Sequence, residues 1–446
     1  MFFNSYQFLF IFLPIVFSIF WLLDRSYRVG FLIFSSIIFY AIWSWTHLLL
    51  LLSMIVINFL FAKKIENSFN KNWLIIAIVV NLLPLFYFKY SLSLLNNNSI
   101  LPLAISFYTF QQIAFLVDLY RKKIILDGFI KYLFFVLFFP QLVAGPIVHY
   151  NQLVSQINNY SFSKLEIKFL QNGILIFSIG VFKKIALADS LFVISNSTFS
   201  HIDSIDMIDS WFGLIAYSLG IYFDFSAYSD MAIGLGLMFG ITLPINFNSP
   251  YKASNIIDFW RKWHITLSDF LKNYIYIPLG GNRNGQYREV ASLLLTMSIG
   301  GVWHGVGWNF LLWGFAHGVL LVITHIVFKY YNMKESRYIS IFSTFITFLA
   351  VTLLWVLFRA DSITSAWQYY NILFSFNFGS VDIKILIEIS IGLFIIWFMP
   401  NSIEIISYSN LKSLKWYYGL LGGVLVFISL KIMAVVPAHS FVYFNF

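Results

Sequence analysis

The sequence predicts an all-α polytopic membrane protein, and two observations support this fold class. Of its 446 residues, 60% are hydrophobic and only 11% are charged, and the mean hydropathy is +0.80. Soluble globular chains are usually about 45–50% apolar and about 25% charged. Apolar runs of roughly 17–25 residues, the length that a helix needs to cross a bilayer, also recur along the chain. These runs show no strand alternation, and only helices or closed barrels satisfy the backbone in lipid, so we predict helices.

We expect about 10–12 membrane-spanning helices, some of them split, tilted, re-entrant or lying at the interface. The first apolar run lacks a basic leader and is not followed by a small-residue cleavage site, which favours a retained span over a signal peptide. The candidate runs are 7–23, 29–45, 47–62, 73–92, 101–119, 129–147, 168–188, 211–240, 290–328, 340–358, 382–400 and 416–436.

The charge pattern fits a membrane orientation better than nucleic-acid binding. The net charge is +9, from 28 basic and 19 acidic side chains. Three early loops are basic (24–28, 63–72 and 121–123), whereas the loop at 96–99 is polar and uncharged. Basic loops mark the cytoplasmic side of a membrane protein, and no base-reading motif accompanies them, so we expect no nucleic-acid partner. The absence of cysteine excludes disulfides, thiolate metal sites and a cysteine nucleophile.

The longest polar region, 245–289, is too polar to span a membrane but is rich in aromatic residues. Its segment IIDFWRKWHITLSDFLKNY, 256–274, alternates apolar and charged positions at helical spacing. This pattern predicts one or two helices that lie at the interface or dip into it. Taken alone, His264 within this segment is typical of a residue on the polar face of such a helix.

The stretch GGVWHGVGWNFLLWGFAHG, 300–318, places His304 and His317 inside the apolar run 290–328. On one continuous helix these two histidines are 13 residues apart and point in different directions, which argues against a metal-binding pair. We predict no metal. A buried imidazole can instead take a proton from a hydroxyl as that hydroxyl attacks a carbonyl. No Gly-x-Ser-x-Gly elbow is present, so transfer between two bound substrates is favoured over a serine hydrolase.

Two carboxylates, Asp224 and Asp230, lie in or beside the run 211–240. Carboxylates within a membrane usually face a cavity or a partner rather than lipid. The simpler alternative is a packed helix with capping carboxylates.

Seven motifs follow one another along the chain: SFYTFQQIAFLVDLYR (106–121), FFPQLVAGPIVHY (138–150), YFDFSAYSDMAIGLGLMFGITLPINFNSPY (222–251), DFWRKWHITLSDFL (258–271), YIYIPLGGNR (274–283), GGVWHGVGWNFLLWGFAHG (300–318) and LFRADS (357–362). In this order they resemble the membrane-bound O-acyltransferase (MBOAT) superfamily, in particular its branch of alginate O-acetyltransferases and peptidoglycan O-acetyltransferase membrane subunits. The resemblance implies one integral-membrane domain over residues 1–446, with a motif-bearing core at 100–362 and helices around a central funnel and tunnel.

The same resemblance implies site residues. His304, in the WHG motif, matches the catalytic histidine of the family, and His264 matches its second recurrent histidine. From proximity in the sequence, and not from the resemblance, we expect Trp303 or Asn309 to help stabilise an oxyanion. Arg261 and Lys262 are candidates to attract the phosphates of the donor, and an anchoring role at the interface is the alternative. For His317 we expect a packing or hydrogen-bonding role.

The C-terminal sequence VPAHSFVYFNF resembles the ends of related acyl-transfer proteins. With no cysteine available, Tyr443 is a candidate acyl relay; an interfacial aromatic anchor is the alternative.

The function implied is transfer of an acyl group, most simply acetyl, from a cytoplasmic thioester such as acetyl-CoA to a cell-envelope or secreted polysaccharide. We expect no permanently bound cofactor, a multi-pass location in the bacterial inner membrane, and a periplasmic SGNH-type acetyltransferase subunit as partner. Two alternatives stay open: a transporter or channel without covalent chemistry, and a scaffold that recruits a separate acetyltransferase.

Overall fold

A computed structural model describes residues 1–91, 101–283, 285–330, 337–435 and 441–442. Its regular elements are all helical, and these residues contain no strand, which confirms the predicted all-α class.

The α-helices, in chain order, are α1 (Leu13–Leu22), α2 (Arg25–Ala41), α3 (Trp45–Ser68), α4 (Lys71–Phe86), α5 (Ile105–Tyr120), α6 (Phe129–Leu137), α7 (Phe139–Leu142), α8 (Tyr150–Val154), α9 (Tyr160–Ser163), α10 (Ile167–Phe182), α11 (Asp189–Ser200), α12 (Met207–Met238), α13 (Ile256–Lys262), α14 (Ile265–Leu271), α15 (Gln286–His304), α16 (Trp308–Tyr330), α17 (Arg337–Arg359), α18 (Ile363–Leu373), α19 (Ile383–Phe398), α20 (Ser402–Ile405) and α21 (Trp416–Met433). Short π-helical segments occur at Phe8–Phe12, Tyr87–Ser91, Lys183–Ala188 and Lys272–Tyr276, and 3₁₀ turns at Ser155–Asn158, Ile202–Ser204, Pro250–Lys252 and Tyr408–Asn410.

The described residues contain fewer candidate spans than the 10–12 expected. Five helices are long and apolar enough to cross a membrane, and the pair Ile383–Phe398 and Ser402–Asn410, bent by 50°, would make a sixth. Several predicted spans are shorter helices whose apolar side chains pack against protein. In α5, which replaces the predicted span 101–119, nearly every residue is buried. Hydropathy does not distinguish a helix buried in protein from one that faces lipid, so apolar runs outnumber the long apolar helices among the described residues. The spans are Trp45–Ser68, Lys71–Tyr90, Trp308–Tyr330, Tyr338–Arg359 and Trp416–Met433.

The chain divides into two compact units, and the first comprises Met1–Phe182, Ala227–Ile245 and Ile406–Phe446. A buried polar network links four of its helices, α3 to α6. Asn58 and Asn81 exchange side-chain hydrogen bonds of 3.0 and 2.6 Å, and Asn58 also donates to Gln112 over 2.8 Å. Tyr132 donates to the same Gln112 oxygen over 3.0 Å. Because buried amides are costly without partners, this network ties the four helices together.

The second unit comprises Lys183–Ser226 and Asn246–Ile405 and contains the predicted catalytic histidines. At its centre α15 and α16 form an antiparallel hairpin, so the predicted single run 290–328 is in fact two helices. Gly301 and Gly314 allow the helices to touch: a Cβ added to Gly314 would lie 3.0 Å from the Cα of Gly301. The chain turns back at 305–307, where two of the three residues are glycine.

Within the polar region 245–289, the segment 256–274, for which one or two helices were predicted, forms the short helices α13 and α14 and most of the π-helical segment Lys272–Tyr276. Asn255 caps α13 by accepting a hydrogen bond of 2.9 Å from the backbone N–H of Asp258. The helix ends at Trp263, which is extended, and His264 then adopts a left-handed conformation with φ of 42° before α14 begins. Phe259 and Trp263 are buried within the unit, at 1% and 2% exposure, so part of the apolar face packs against protein.

Candidate active site

His304 is the last residue of α15, directly before the turn of the hairpin. It is only 3% exposed. Three aromatic rings surround its imidazole: those of Trp303, Trp313 and Phe358, with centroid separations of 4.7, 5.2 and 5.1 Å. The end of the helix therefore presents His304 within an aromatic enclosure, where a proton-transfer group is shielded from bulk water.

His264 is completely buried, which excludes the solvent-facing position that its amphipathic segment suggested. Its Nδ1 lies 3.1 Å from Oδ1 of Asn246. The same oxygen accepts hydrogen bonds from the backbone N–H and the hydroxyl of Thr266, over 3.3 and 2.9 Å. An oxygen acceptor at Nδ1 places the proton of a neutral imidazole there and leaves the lone pair on Nε2. Burial lowers the pKa of His264 to about 3, so the ring is neutral at physiological pH.

The indole of Trp303 lies near both predicted catalytic histidines, which are 40 residues apart in the sequence. The Trp303 ring lies 4.7 Å from the His304 ring and 6.4 Å from the His264 ring, between centroids. The structure thus brings together His304, His264 and Trp303, three of the residues that the motifs singled out. A pair of imidazoles beside one N–H donor can exchange a proton with a substrate and stabilise a developing negative charge.

The side chain of Asn309 connects two helices of the second unit. Its side-chain amide donates to the backbone carbonyls of Leu357 and Ala360, over 3.2 and 2.8 Å. These bonds hold the start of α16 against the end of α17. Because both amide protons are used in this way, the expected donation from Asn309 to an oxyanion is not supported by this geometry.

Two further predicted site residues are Arg261 and Tyr443. Arg261 is exposed near the end of α13, and its neighbour Lys262 is paired with Asp258 over 2.8 Å. Tyr443 lies outside the described residues.

Two features were missed by the sequence interpretation, and the first is a buried ion cluster. Lys184 donates to Asp189 and Asp224 over 2.7 and 2.8 Å, and its side chain is fully buried. Asp224 was expected to face a cavity or a partner, and Lys184 is that partner. Two adjacent lysines, Lys183 and Lys184, within the apolar run 168–188 could have indicated a buried partner for a carboxylate.

The second missed feature is the proximity of His317 to the site. Its ring lies 4.8 Å from that of Trp313, which also contacts His304 at 5.2 Å. On a straight helix the two histidines would diverge, but the hairpin turn returns α16 along α15 and places both beside Trp313.

A model of the membrane-bound O-acyltransferase family matches residues 37–367, about three quarters of the chain. The chain belongs to this family.

Curated relatives agree with that membership. The MBOAT chain is 41% identical over 411 residues to the peptidoglycan O-acetyltransferase of Helicobacter pylori, covering 82% of this chain and 78% of the relative. It is 37% identical over 397 residues to the probable alginate O-acetylase AlgI of Pseudomonas aeruginosa, covering 84% and 75%. It is also 27% identical over 298 residues to the teichoic acid D-alanyltransferase of Bacillus subtilis, covering 61% and 74%.

These findings confirm the resemblance drawn from the motifs. The MBOAT protein is a multi-pass membrane O-acyltransferase, and its reaction requires an acyl donor and an acceptor. Among the residues that the structure describes, no group of three or more His, Asp or Glu side chains is placed to hold a metal ion.

Proposed function

We propose that this MBOAT protein transfers an acetyl group from acetyl-CoA, a cytoplasmic thioester, across the bacterial inner membrane towards a cell-envelope or secreted polysaccharide. The observation that carries the proposal is the convergence of His304 and His264 on the indole of Trp303. The named activities of the relatives, on peptidoglycan and alginate, support acetyl as the group and polysaccharide as the class of acceptor.

In the proposed mechanism, His304 takes the proton of an acceptor hydroxyl as its oxygen attacks the thioester carbonyl carbon. The tetrahedral intermediate places negative charge on the former carbonyl oxygen, and the Trp303 N–H donates a hydrogen bond to it. Collapse of the intermediate breaks the carbon–sulfur bond, and the imidazolium returns the proton to the leaving thiolate. The single proton of the attacking hydroxyl goes to His304, so the neutral Nε2 of His264 orients the acceptor by accepting a hydrogen bond from a second donor group on it.

The other assignments complete the proposed path. Arg261 is exposed and attracts the phosphates of the donor by charge. Asn309 supports the site by holding α16 to α17. In the relay, the attacking hydroxyl is the phenol of Tyr443, which gives its proton to His304 and becomes an aryl ester as the thiol leaves. A hydroxyl of a periplasmic SGNH-type subunit then attacks this ester, and the phenol regains a proton as it leaves. Mass spectrometry of the C-terminal peptide after incubation with donor tests the relay, and an unmodified Tyr443 in active membranes argues against it.

The decisive experiment measures transfer of radiolabelled acetyl from acetyl-CoA in membranes that contain wild-type protein, His304→Ala or His325→Ala. His325 is a matched control because it is exposed on α16 and its Nδ1 contacts the backbone carbonyl of Leu321 at 2.8 Å. We expect His304→Ala to lose about 10²–10⁴-fold in rate, the usual contribution of a general base, with His325→Ala near wild type.

Immunoblotting establishes that the three proteins are equally abundant. Equal labelling by His304→Ala removes this residue from the chemistry and favours a scaffold for a separate acetyltransferase. Absence of labelling by the wild type refutes acetyl-CoA as donor.

A further inference from the structure

Beyond His304 lies a group of three side chains that the proposed mechanism does not use: Trp260, Trp313 and His317, here called the indole–imidazole cluster. The His317 ring lies 5.2 Å from that of Trp260 and 4.8 Å from that of Trp313, and the two indoles are 6.0 Å apart. Trp313 also contacts His304 at 5.2 Å, so the cluster adjoins the proposed general base.

The cluster is buried yet polar. His317 is fully buried, Trp313 is 2% exposed and Trp260 is 9% exposed. Both ring nitrogens of His317 and the indole nitrogens of Trp260 and Trp313 have no hydrogen-bond partner among the protein groups that the structure describes. Such groups are rare because each loses its bonds to water on burial, and phenylalanine could fill similar space without that loss. Packing alone therefore does not account for these residue types.

The hydrogen-bonding capacity of the cluster indicates what it can bind. Each indole donates one hydrogen bond, and a neutral imidazole donates one and accepts one. No formally charged side chain belongs to the cluster, so an anion would be desolvated there without a counter-charge. A secondary amide matches it, because its carbonyl accepts from the ring N–H groups and its N–H donates to the imidazole.

We propose that the indole–imidazole cluster binds an amide of the pantetheine arm of the acyl donor, with His317 as a substrate-binding residue. The proposal rests on the proposed acyl-transfer function and deepens it. In a pantetheine thioester only two methylene groups separate the sulfur from the first amide. That short spacing fits the position of the cluster, because its member Trp313 packs directly against His304. Pantetheine is common to coenzyme A and to acyl carrier proteins, so the cluster recognises the shared arm of both.

The test compares two small acetyl thioesters, N,S-diacetylcysteamine, which has this amide, and ethyl thioacetate, which does not. The readout is the ratio of their kcat/KM values in wild type, His317→Phe, His317→Gln, Trp260→Phe and the control His325→Phe. We expect the wild type to prefer the amide-bearing thioester by about 10-fold or more, as for two or more neutral hydrogen bonds. The preference should fall close to one in His317→Phe, partly return in His317→Gln, and stay at the wild-type value in His325→Phe.

A purely structural role for His317 would lower abundance or thermal stability and reduce both rates equally, leaving the ratio unchanged, and that result overturns the proposal. If His317→Phe does not fold, Trp260→Phe, which removes one N–H and keeps an aromatic ring, should still lower the ratio several-fold, and an unaltered ratio refutes the proposal.

Acetyl-CoA and an acetylated carrier protein are assayed in parallel. If the wild type uses either donor but shows no preference between the small thioesters, the amide site is wrong while acyl transfer stands. If it uses neither, the proposed function fails and this inference fails with it.

Discussion

Replacing Lys184 with methionine should destabilise the protein severely. The ammonium group is fully buried and bonds Asp189 and Asp224 over 2.7 and 2.8 Å. These two oxygens contact one nitrogen, so they are no more than 5.5 Å apart. Without the lysine, two like charges at that separation repel by about 3 kcal/mol at an effective dielectric constant of about 20. Removal of one member of a buried ion pair costs about 3–5 kcal/mol in measured cases, and we expect a loss of that size here.

The free energy of unfolding is measured by SDS titration in mixed micelles for wild type, Lys184→Met and the control Lys262→Met. Lys262 forms an i,i+4 pair with Asp258 at 2.8 Å, but both side chains are more than a quarter exposed. Its loss should therefore cost less than about 1 kcal/mol. The double variant Lys184→Met/Asp224→Asn should recover part of the loss because it removes one of the two repelling charges. Equal losses in the two single variants would refute the reasoning, as would a double variant no more stable than Lys184→Met.

Two further predictions concern the hairpin and His264. Gly314→Ala should cost about 3 kcal/mol by overpacking, because its Cβ would clash with the backbone carbonyl oxygen of Met297 and would lie 3.0 Å from the Cα of Gly301. Gly419→Ala, whose Cβ meets nothing within 4 Å, should be neutral or stabilising in the same unfolding assay, and equal effects would contradict the close contact. The pKa of His264 is about 3 in the fold but about 6.5 in an unfolded chain. The unfolded chain therefore binds the extra proton between these values, and stability falls as the pH falls through this range. His264→Gln should remove about 1.4 kcal/mol per pH unit from the slope of unfolding free energy against pH; an unchanged slope would show that His264 contributes no such shift.

The all-α class could be predicted from the sequence, and the family resemblance singled out both His304 and His264. Helix content follows from apolar runs, which are local. The motifs of the two histidines resemble those of one family, and the structure adds that the indole of Trp303 lies near both imidazole rings. Spacing alone could not have shown this, because His264 was equally compatible with an exposed face.

The remaining errors arise from contacts between segments distant in sequence. The run 290–328 contains no Asp, Glu, Lys or Arg and therefore resembles one long helix. The turn at Gly305 and Gly307 divides it into α15 and α16, and His317 on α16 lies beside Trp313. The predicted runs outnumber the candidate spans among the described residues because apolar residues that pack against protein have the same hydropathy as those that face lipid. The partner of Asp224 could not be identified because Lys184 is 40 residues away on another helical segment.

The role proposed for His264 in acyl transfer and the left-handed backbone at this position favour different residues. A residue with a β-carbon in this conformation costs roughly 1–2 kcal/mol relative to glycine, and His264 holds φ at 42° between α13 and α14. Glycine would relieve the strain but would remove the imidazole. Random substitution followed by selection for thermal stability alone should therefore favour glycine at this position, whereas selection for acyl transfer should retain histidine. Sequencing position 264 after each selection shows whether stability and acyl transfer favour different residues there.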